Sequence, residues 1–235
     1  TLAYCLKACG NIGATERGKE LHTELDRQGL LKTDYLLGNA LVDMYAKCGM
    51  LDKAREVFED IPVKDVVSWT TLIGGYVEHG FGEEALSCFE KMQLDRVSPN
   101  RVTFICSLKA CSSIGAVDKG IEIHTDIEKK GLKRDNVVSN TLVNMYARCG
   151  YLIQAQEIFD KVLVKDTVAW TSLIAGYAKL GLGDIALKWF LLMRDEGNSP
   201  NVVTFTCALK ACASIGSLDV GKDIHAEVKH SGLLE

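Results

Sequence analysis

The chain has 235 residues, 47% apolar and 25% charged, enough to bury a sizeable core, and its three prolines with no low-complexity tract leave no linker. No apolar run approaches the roughly 18 residues of a membrane span. A net charge of −4 with pI ≈ 5.8 on its face disfavours a polyanionic partner, and nine cysteines, an odd number, argue for reduced, small core residues and against a disulfide framework.

Taken in order, the residues divide into seven helix-turn-helix units of three lengths in rotation. The units are 1–34 (long), 35–65 (short), 66–100 (standard), 101–135 (long), 136–166 (short), 167–201 (standard) and 202–235 (long). The opening, Thr1 to Cys9, matches Thr204 to Cys212, a point already inside a unit. The first and last units are therefore expected to be truncated and the chain to be a fragment. The repeat is plainest where Asp65 to Tyr76 returns 101 residues later as Asp166 to Tyr177.

Each first helix carries an apolar stripe at i, i+3, i+4 and i+7. In the standard units it is Trp69, Leu72, Ile73 and Tyr76, and again Trp170, Leu173, Ile174 and Tyr177. The short units put a small residue in the tryptophan's place, giving Gly38, Leu41, Val42 and Tyr45, or Ser139, Leu142, Val143 and Tyr146. The long units read Phe104, Ser107, Leu108 and Cys111, or Phe205, Ala208, Leu209 and Cys212. Beside the stripe in unit 66–100 runs a second face, Val67, Thr70, Thr71 and Gly74, small and polar after its first residue. Such a face packs poorly but suits the lining of a groove that admits something flat and hydrogen-bonding.

Every first helix is expected to stop at a glycine in a left-handed cap: Gly49, Gly80, Gly115, Gly150, Gly181 and Gly216. Each unit closes on Asp or Asn, able to cap the next helix. Helix pairs this short cannot bury their own stripes, so neighbours must stack. The fold class this predicts is all-α, a right-handed α-solenoid superhelix with a concave groove.

The seven first helices hold Lys7, Lys47, Arg101, Lys109, Arg148, Lys179 and Lys210 against Asp43 and Glu78, a net +5 that leaves −9 for the rest of the chain. A groove lined by first helices would be more basic than the molecule, as a nucleic-acid channel should be. The competing reading is that these are solvated helix ends placed to suit the helix dipole. Including Asp34, Asp65, Asp135 and Asp166 reduces the excess to +1.

The segments Val66 to Tyr76, Asn39 to Gly49 and Leu209 to Cys212, with three unit types in fixed order, resemble the pentatricopeptide repeat family, in particular the plant subclass that alternates standard, long and short repeats. Tetratricopeptide repeats have a uniform period near 34 and a different signature. The resemblance implies single-stranded RNA binding at one base per repeat. A polar first-helix residue and the last residue of the same repeat would together read a base edge: Asn39 with Asp65, Thr70 with Asn100, Asn140 with Asp166, and Thr171 with Asn201. By the family's pairing rules, Asn with Asp prefers uracil and Thr with Asn prefers adenine, giving 5′-U-A-n-U-A-3′.

The chemistry of the residues is compatible with that role. Short uncharged side chains donate and accept at a Watson-Crick edge, and Leu36, Val67, Val137 and Val168, one turn earlier, are placed to clamp base faces. The competing reading from the residues alone is that Asn39 and Asn140 satisfy local backbone groups and the valines are interface packing. In the long units the corresponding pairs are weak or non-reading. Ala3 with Asp34 and Ile105 with Asp135 offer no first-helix edge, and Thr206 stands without its unit's closing residue. In the family such repeats are also contacted by multiple organellar RNA editing factors, which implies a possible protein partner here. A helical scaffold that grips proteins without reading RNA is the alternative function. Membership further implies a mitochondrion or chloroplast and a role as the recognition part of a C-to-U RNA editing factor, whose deaminase would lie downstream or arrive in trans.

No catalytic chemistry is expected. His22-Thr23-Glu24 and His225-Ala226-Glu227 match half of a zinc deaminase site, but Pro-Cys-x-x-Cys occurs nowhere, and the equivalent His124-Thr125-Asp126 shows that the histidine marks the repeat. Cys5 with Cys9 and Cys106 with Cys111 have helical spacings without a converging histidine. No phosphate loop or nucleophile elbow is present. Neither metal nor cofactor is predicted.

Overall fold

The structure is a computed structural model that describes residues 2–32 and 34–230. Among the described residues it contains fourteen α-helices, two 3-10 turns and no strand. The first helices are α1 (Leu2–Ile12), α3 (Tyr35–Lys47), α5 (Val66–Glu78), α7 (Arg101–Ile114), α9 (Asn136–Arg148), α11 (Thr167–Lys179) and α13 (Val202–Ile215). The second helices are α2 (Thr15–Arg27), α4 (Leu51–Asp60), α6 (Gly82–Leu94), α8 (Val117–Lys129), α10 (Leu152–Lys161), α12 (Gly183–Asp195) and α14 (Leu218–His230).

The chain forms two compact units, residues 1–114 and 115–235. In the first, α1, α3, α5 and α7 pack side by side in succession, while α2, α4 and α6 each lie on their own first helix and on the next one. In the second, α9, α11 and α13 follow one another in the same way, with α10 and α12 bridging successive first helices, α8 on α9 and α14 on α13. Packing between immediate neighbours only, in an all-helical chain, is α-solenoid architecture.

The stripes account for this packing. Trp69, Leu72, Ile73 and Tyr76, their counterparts from Trp170 to Tyr177, and the short-unit and long-unit sets are buried, with Leu209 alone half-exposed. Phe58 of α4 meets Trp69 edge-on at 4.7 Å between ring centroids, and Phe159 of α10 meets Trp170 at 4.6 Å, locking each short unit onto the standard unit that follows. The small residue in the short unit has a steric reason: a Cβ on Gly38 would lie 3.0 Å from Ile61 Cγ1. Close approach between first helices likewise depends on Gly75, where a Cβ would fall 2.6 Å from that of Ala46.

All six glycines expected to stop first helices have positive φ, between 70° and 87°. The closing Asp and Asn residues do cap. Asp34, Asp65, Asp135, Asp166, Asn100 and Asn201 each accept from backbone N–H groups of the following helix, contacts worth about 1 kcal/mol apiece. Two features lay outside the pattern. The long units place 3-10 turns at Leu30–Lys32 and Leu132–Arg134, just after the left-handed Gly29 and Gly131, and these absorb their extra length. The thiols, none in a disulfide, are only partly core: Cys9, Cys111 and Cys212 are buried, five others are half-buried and Cys5 is exposed.

Candidate nucleic-acid interface

The second residue of α3, α5, α7, α9, α11 and α13 is in each case an exposed aliphatic. In the first unit these are Leu36 at 59%, Val67 at 51% and Val102 at 50% exposure; in the second they are Val137, Val168 and Val203, at 47%, 54% and 57%. Each stands on the first turn, held there by the Asp or Asn cap two residues before it. Leu36, Val67, Val137 and Val168 thus have the accessibility a clamp needs. Val102 and Val203, of the long units, share it, although the residues one turn on, Ile105 and Thr206, gave the sequence no reading pair to mark them.

Between α3, α5 and α7 opens a cavity of about 360 Å³. Val67, Thr70, Thr71 and Gly74, the small polar face read from the sequence, all line it, together with Asn100 and Val102. Its charged lining residues are Asp43, Lys47 and Glu78, and Lys47 is paired with Asp43 at 2.8 Å. The basic excess inferred for the first helices is therefore absent at this place, because the lysine at the helix end is matched by an aspartate one turn back.

The reading pairs are not equally placed. Thr70 is half-buried in the cavity wall, and its hydroxyl lies 2.7 Å from that of Thr103, the third residue of the next first helix. Thr103 in turn donates from its hydroxyl at 3.1 Å, and from its backbone N–H at 2.9 Å, to the Asn100 carboxamide oxygen. Thr70 and Asn100 are thus brought together through a residue of the following unit. The second unit repeats the arrangement: Thr171 to Thr204 at 2.7 Å, and Thr204 to Asn201 at 2.9 Å from both its hydroxyl and its N–H.

The short-unit residues are less open than the sequence suggests. Asn39 and Asn140 are only 7% and 5% exposed, and Thr171 is 8% exposed, so three of the four first-helix readers sit in seams between neighbouring helices. Helical periodicity fixes the direction of a side chain but not the width of the gap it enters. Asn140 donates to the carbonyl of Val164, 24 residues on, at 3.2 Å, whereas both polar atoms of Asn39 are buried without a partner. Such a group costs free energy until something satisfies it. Their closing residues are anchored by one oxygen: Asp65 Oδ1 accepts from Val67 N, Ser68 N and the Ser68 hydroxyl, and Asp166 Oδ1 accepts from Ala169 N.

In the long units, Ala3 and Ile105 are half-buried, and the Thr206 hydroxyl donates to the carbonyl of Val202 at 2.8 Å. Asp34 and Asp135 cap α3 and α9. Two of the three repeat-marking histidines have tyrosine partners. His22 Nδ1 lies 2.9 Å from the Tyr45 hydroxyl and His124 Nδ1 lies 3.0 Å from that of Tyr146, so each joins a long unit's second helix to the first helix of the next unit. Burial lowers the pKa of both imidazoles and favours the neutral form. Among the described residues, no group of three or more His, Cys, Asp or Glu side chains is placed to hold a metal ion.

The model of the PPR repeat family matches residues 64–113 and 165–214, and that of the PPR repeat matches 39–66 and 137–166. The chain belongs to the pentatricopeptide repeat family. Among curated relatives from Arabidopsis thaliana, the chloroplastic pentatricopeptide repeat-containing protein At4g18520 is 36% identical over 234 residues, 100% of this chain and 38% of that protein. The chloroplastic protein CRR2 is 40% identical over 228 residues, 94% of this chain and 35% of that one, and the mitochondrial At3g13770 is 36% identical over 230 residues, 95% and 36%. The chain thus spans little more than a third of these relatives. Of solved pentatricopeptide repeat structures, maize PPR10 superposes with a TM-score of 0.71 at 25% identity over 98% of this chain and 34% of that one. PPR10 in complex with an 18-nt psaJ RNA element gives 0.73 at 17% identity over 94% and 33%.

Proposed function

We propose that this chain is a sequence-specific single-stranded RNA-binding module, an array of seven pentatricopeptide repeats of the subclass with alternating long, short and standard units. It reads one base per short or standard repeat, with the core preference 5′-U-A-n-U-A-3′. The observation that carries this reading is the cavity between α3, α5 and α7, where the half-exposed Val67 and Val102 flank Thr70 and Asn100. Apolar side chains there offer a base its faces, and the polar pair offers it an edge. The likeness to PPR10, solved with a single RNA element, supports the same direction.

In the short repeats Asn39 and Asn140 are paired with Asp65 and Asp166. A carboxylate accepts only, which suits the N3–H of uracil. The long repeats read little through Ala3, Ile105 and Thr206 and retain a clamp in Val102 and Val203. They are the surfaces on which a protein partner such as a multiple organellar RNA editing factor would sit. The names of the relatives, chloroplastic and mitochondrial, support an organellar location, and the proposed role is target recognition in C-to-U RNA editing.

The swap Thr70→Asn with Asn100→Asp should move the preference at the facing base from adenine to uracil. In titrations of labelled RNA by fluorescence anisotropy, each mismatch should weaken binding by about 1–3 kcal/mol, by analogy with mismatched DNA sites. A double variant that keeps the adenine preference of the parent refutes the pairing. A chain that binds the predicted and a scrambled RNA equally is better described as a protein-binding scaffold.

A further inference from the structure

The residue that joins Thr70 to Asn100 belongs to neither reader, and its hydrogen bonds fix what the pair can offer. A backbone N–H can only donate, so the Asn100 atom 2.9 Å from Thr103 N is the carboxamide oxygen. That oxygen also lies 3.1 Å from the Thr103 hydroxyl, and since a carboxamide oxygen has no hydrogen to give, Thr103 is the donor of this bond. Thr103 therefore spends its one hydroxyl hydrogen on Asn100. It accepts in return from Asn100 N at 3.2 Å, and its remaining lone pair faces the Thr70 hydroxyl at 2.7 Å. Thr70 must then donate to Thr103. What is left for a ligand is an acceptor on Thr70, whose hydrogen is committed, and donors on the Asn100 NH2, whose oxygen is taken twice.

We infer that Thr103, and Thr204 in the second unit, are positioning residues that set the hydrogen-bond polarity of the preceding repeat's reading pair, so that it selects a base presenting an amino group beside an unprotonated ring nitrogen. This rests on the RNA-reading function proposed above. Adenine offers N6–H2 and N1 in that order, and cytosine N4–H2 and N3. Guanine and uracil present a keto oxygen beside a ring N–H, the reverse pattern, and meet acceptor with acceptor and donor with donor. The second unit has the same four contacts on Thr171, Thr204 and Asn201. The short repeats lack the device. Ser68 bonds Asp65 without reaching Asn39, and Ala169 has no hydroxyl at all. The carboxylate's charge already makes those pairs acceptor-rich.

Inosine replaces adenine's amino group and N1 acceptor with a keto group and an N1–H while keeping the purine shape, so it isolates polarity. The parent chain, titrated with single-stranded RNA carrying U-A-n-U-A, should prefer adenine over inosine at the base facing Thr70 by roughly 10-fold or more, the range of a paired edge contact. Thr103→Val, which keeps the shape and removes the hydroxyl, should bring that ratio to within about 3-fold, while Thr103→Ser should retain it. A folded Thr103→Val chain with an undiminished adenine-to-inosine ratio overturns the inference and leaves the RNA-reading function standing. A parent chain that binds RNA without distinguishing adenine from any base at this place overturns the reading itself. Should Thr103→Val fail to give a folded chain, Thr204→Val is read in the same way with inosine facing Thr171 and Asn201, and the same two results decide.

Discussion

At the scale of single residues the chain combines satisfied and unsatisfied polar groups, and the difference bears on function. The Thr70–Thr103–Asn100 set is closed on itself, whereas Asn39 is buried with neither its oxygen nor its nitrogen bonded. An amide so placed keeps its donors and acceptor for a ligand that reaches it. Strain of another kind lies at Arg96, whose φ of 57° is the one positive value on a non-glycine among the described residues. The corresponding position of the next standard unit is Gly197, with φ 77°. Arg96→Gly should therefore stabilise the chain by about 1 kcal/mol, since relief of the left-handed strain outweighs the added freedom of the unfolded chain. Urea unfolding checks this: the midpoint should rise, and an unchanged or lower midpoint shows that the arginine carries no strain. Residue by residue, the sequence disclosed which side chains share a face, because that follows from 3.6-residue periodicity. It did not disclose that Asn39, Asn140 and Thr171 lie deep in the seams, nor that Thr103 and Thr204 intervene, because both depend on the distance between neighbouring helices.

At the scale of elements, helix starts and stops were legible because each has a chemical marker, an Asp or Asn at the start and a left-handed glycine at the end. The 3-10 turns of the long units had no such marker, since three residues are too few for a periodic signal. The histidine–tyrosine contacts were half legible: their recurrence at one repeat position indicated structure, but their partners on the next unit required coordinates. They also give the helix junctions a pH dependence. Burial lowers the pKa of His22 and His124 from an ordinary value of 6.5, so the folded chain binds fewer protons than the unfolded chain below that value. Stability should be full above about pH 6.5 and should fall as pH drops through the depressed folded values. Melting temperatures measured between pH 8 and 5 should show this decline, and His22→Gln with His124→Gln should make it shallower. An equal slope in parent and double variant would place the acid sensitivity elsewhere.

For the whole molecule, two compact units each show the same succession of first helices, the same capping and the same threonine network, so the reading proposed for one is tested again in the other. The α-solenoid class followed from helix pairs too short to bury their own stripes, whereas the proposed base-reading role came only with the family resemblance. Net charge pointed away from RNA, and the cavity's Asp43, Lys47 and Glu78 add no basic excess, so the proposed discrimination rests on edges and faces, with little phosphate attraction. The most direct measurement is equilibrium binding of the parent chain to a single-stranded RNA carrying U-A-n-U-A and to one in which every uracil and adenine of that core is exchanged, at one fixed salt concentration. The predicted result is a loss of at least 10-fold in affinity for the exchanged RNA, since the four mismatches at about 1–3 kcal/mol apiece exceed that even if they add imperfectly. Equal affinity for the two RNAs would contradict the assignment of Asn39, Thr70, Asn140 and Thr171 as base readers.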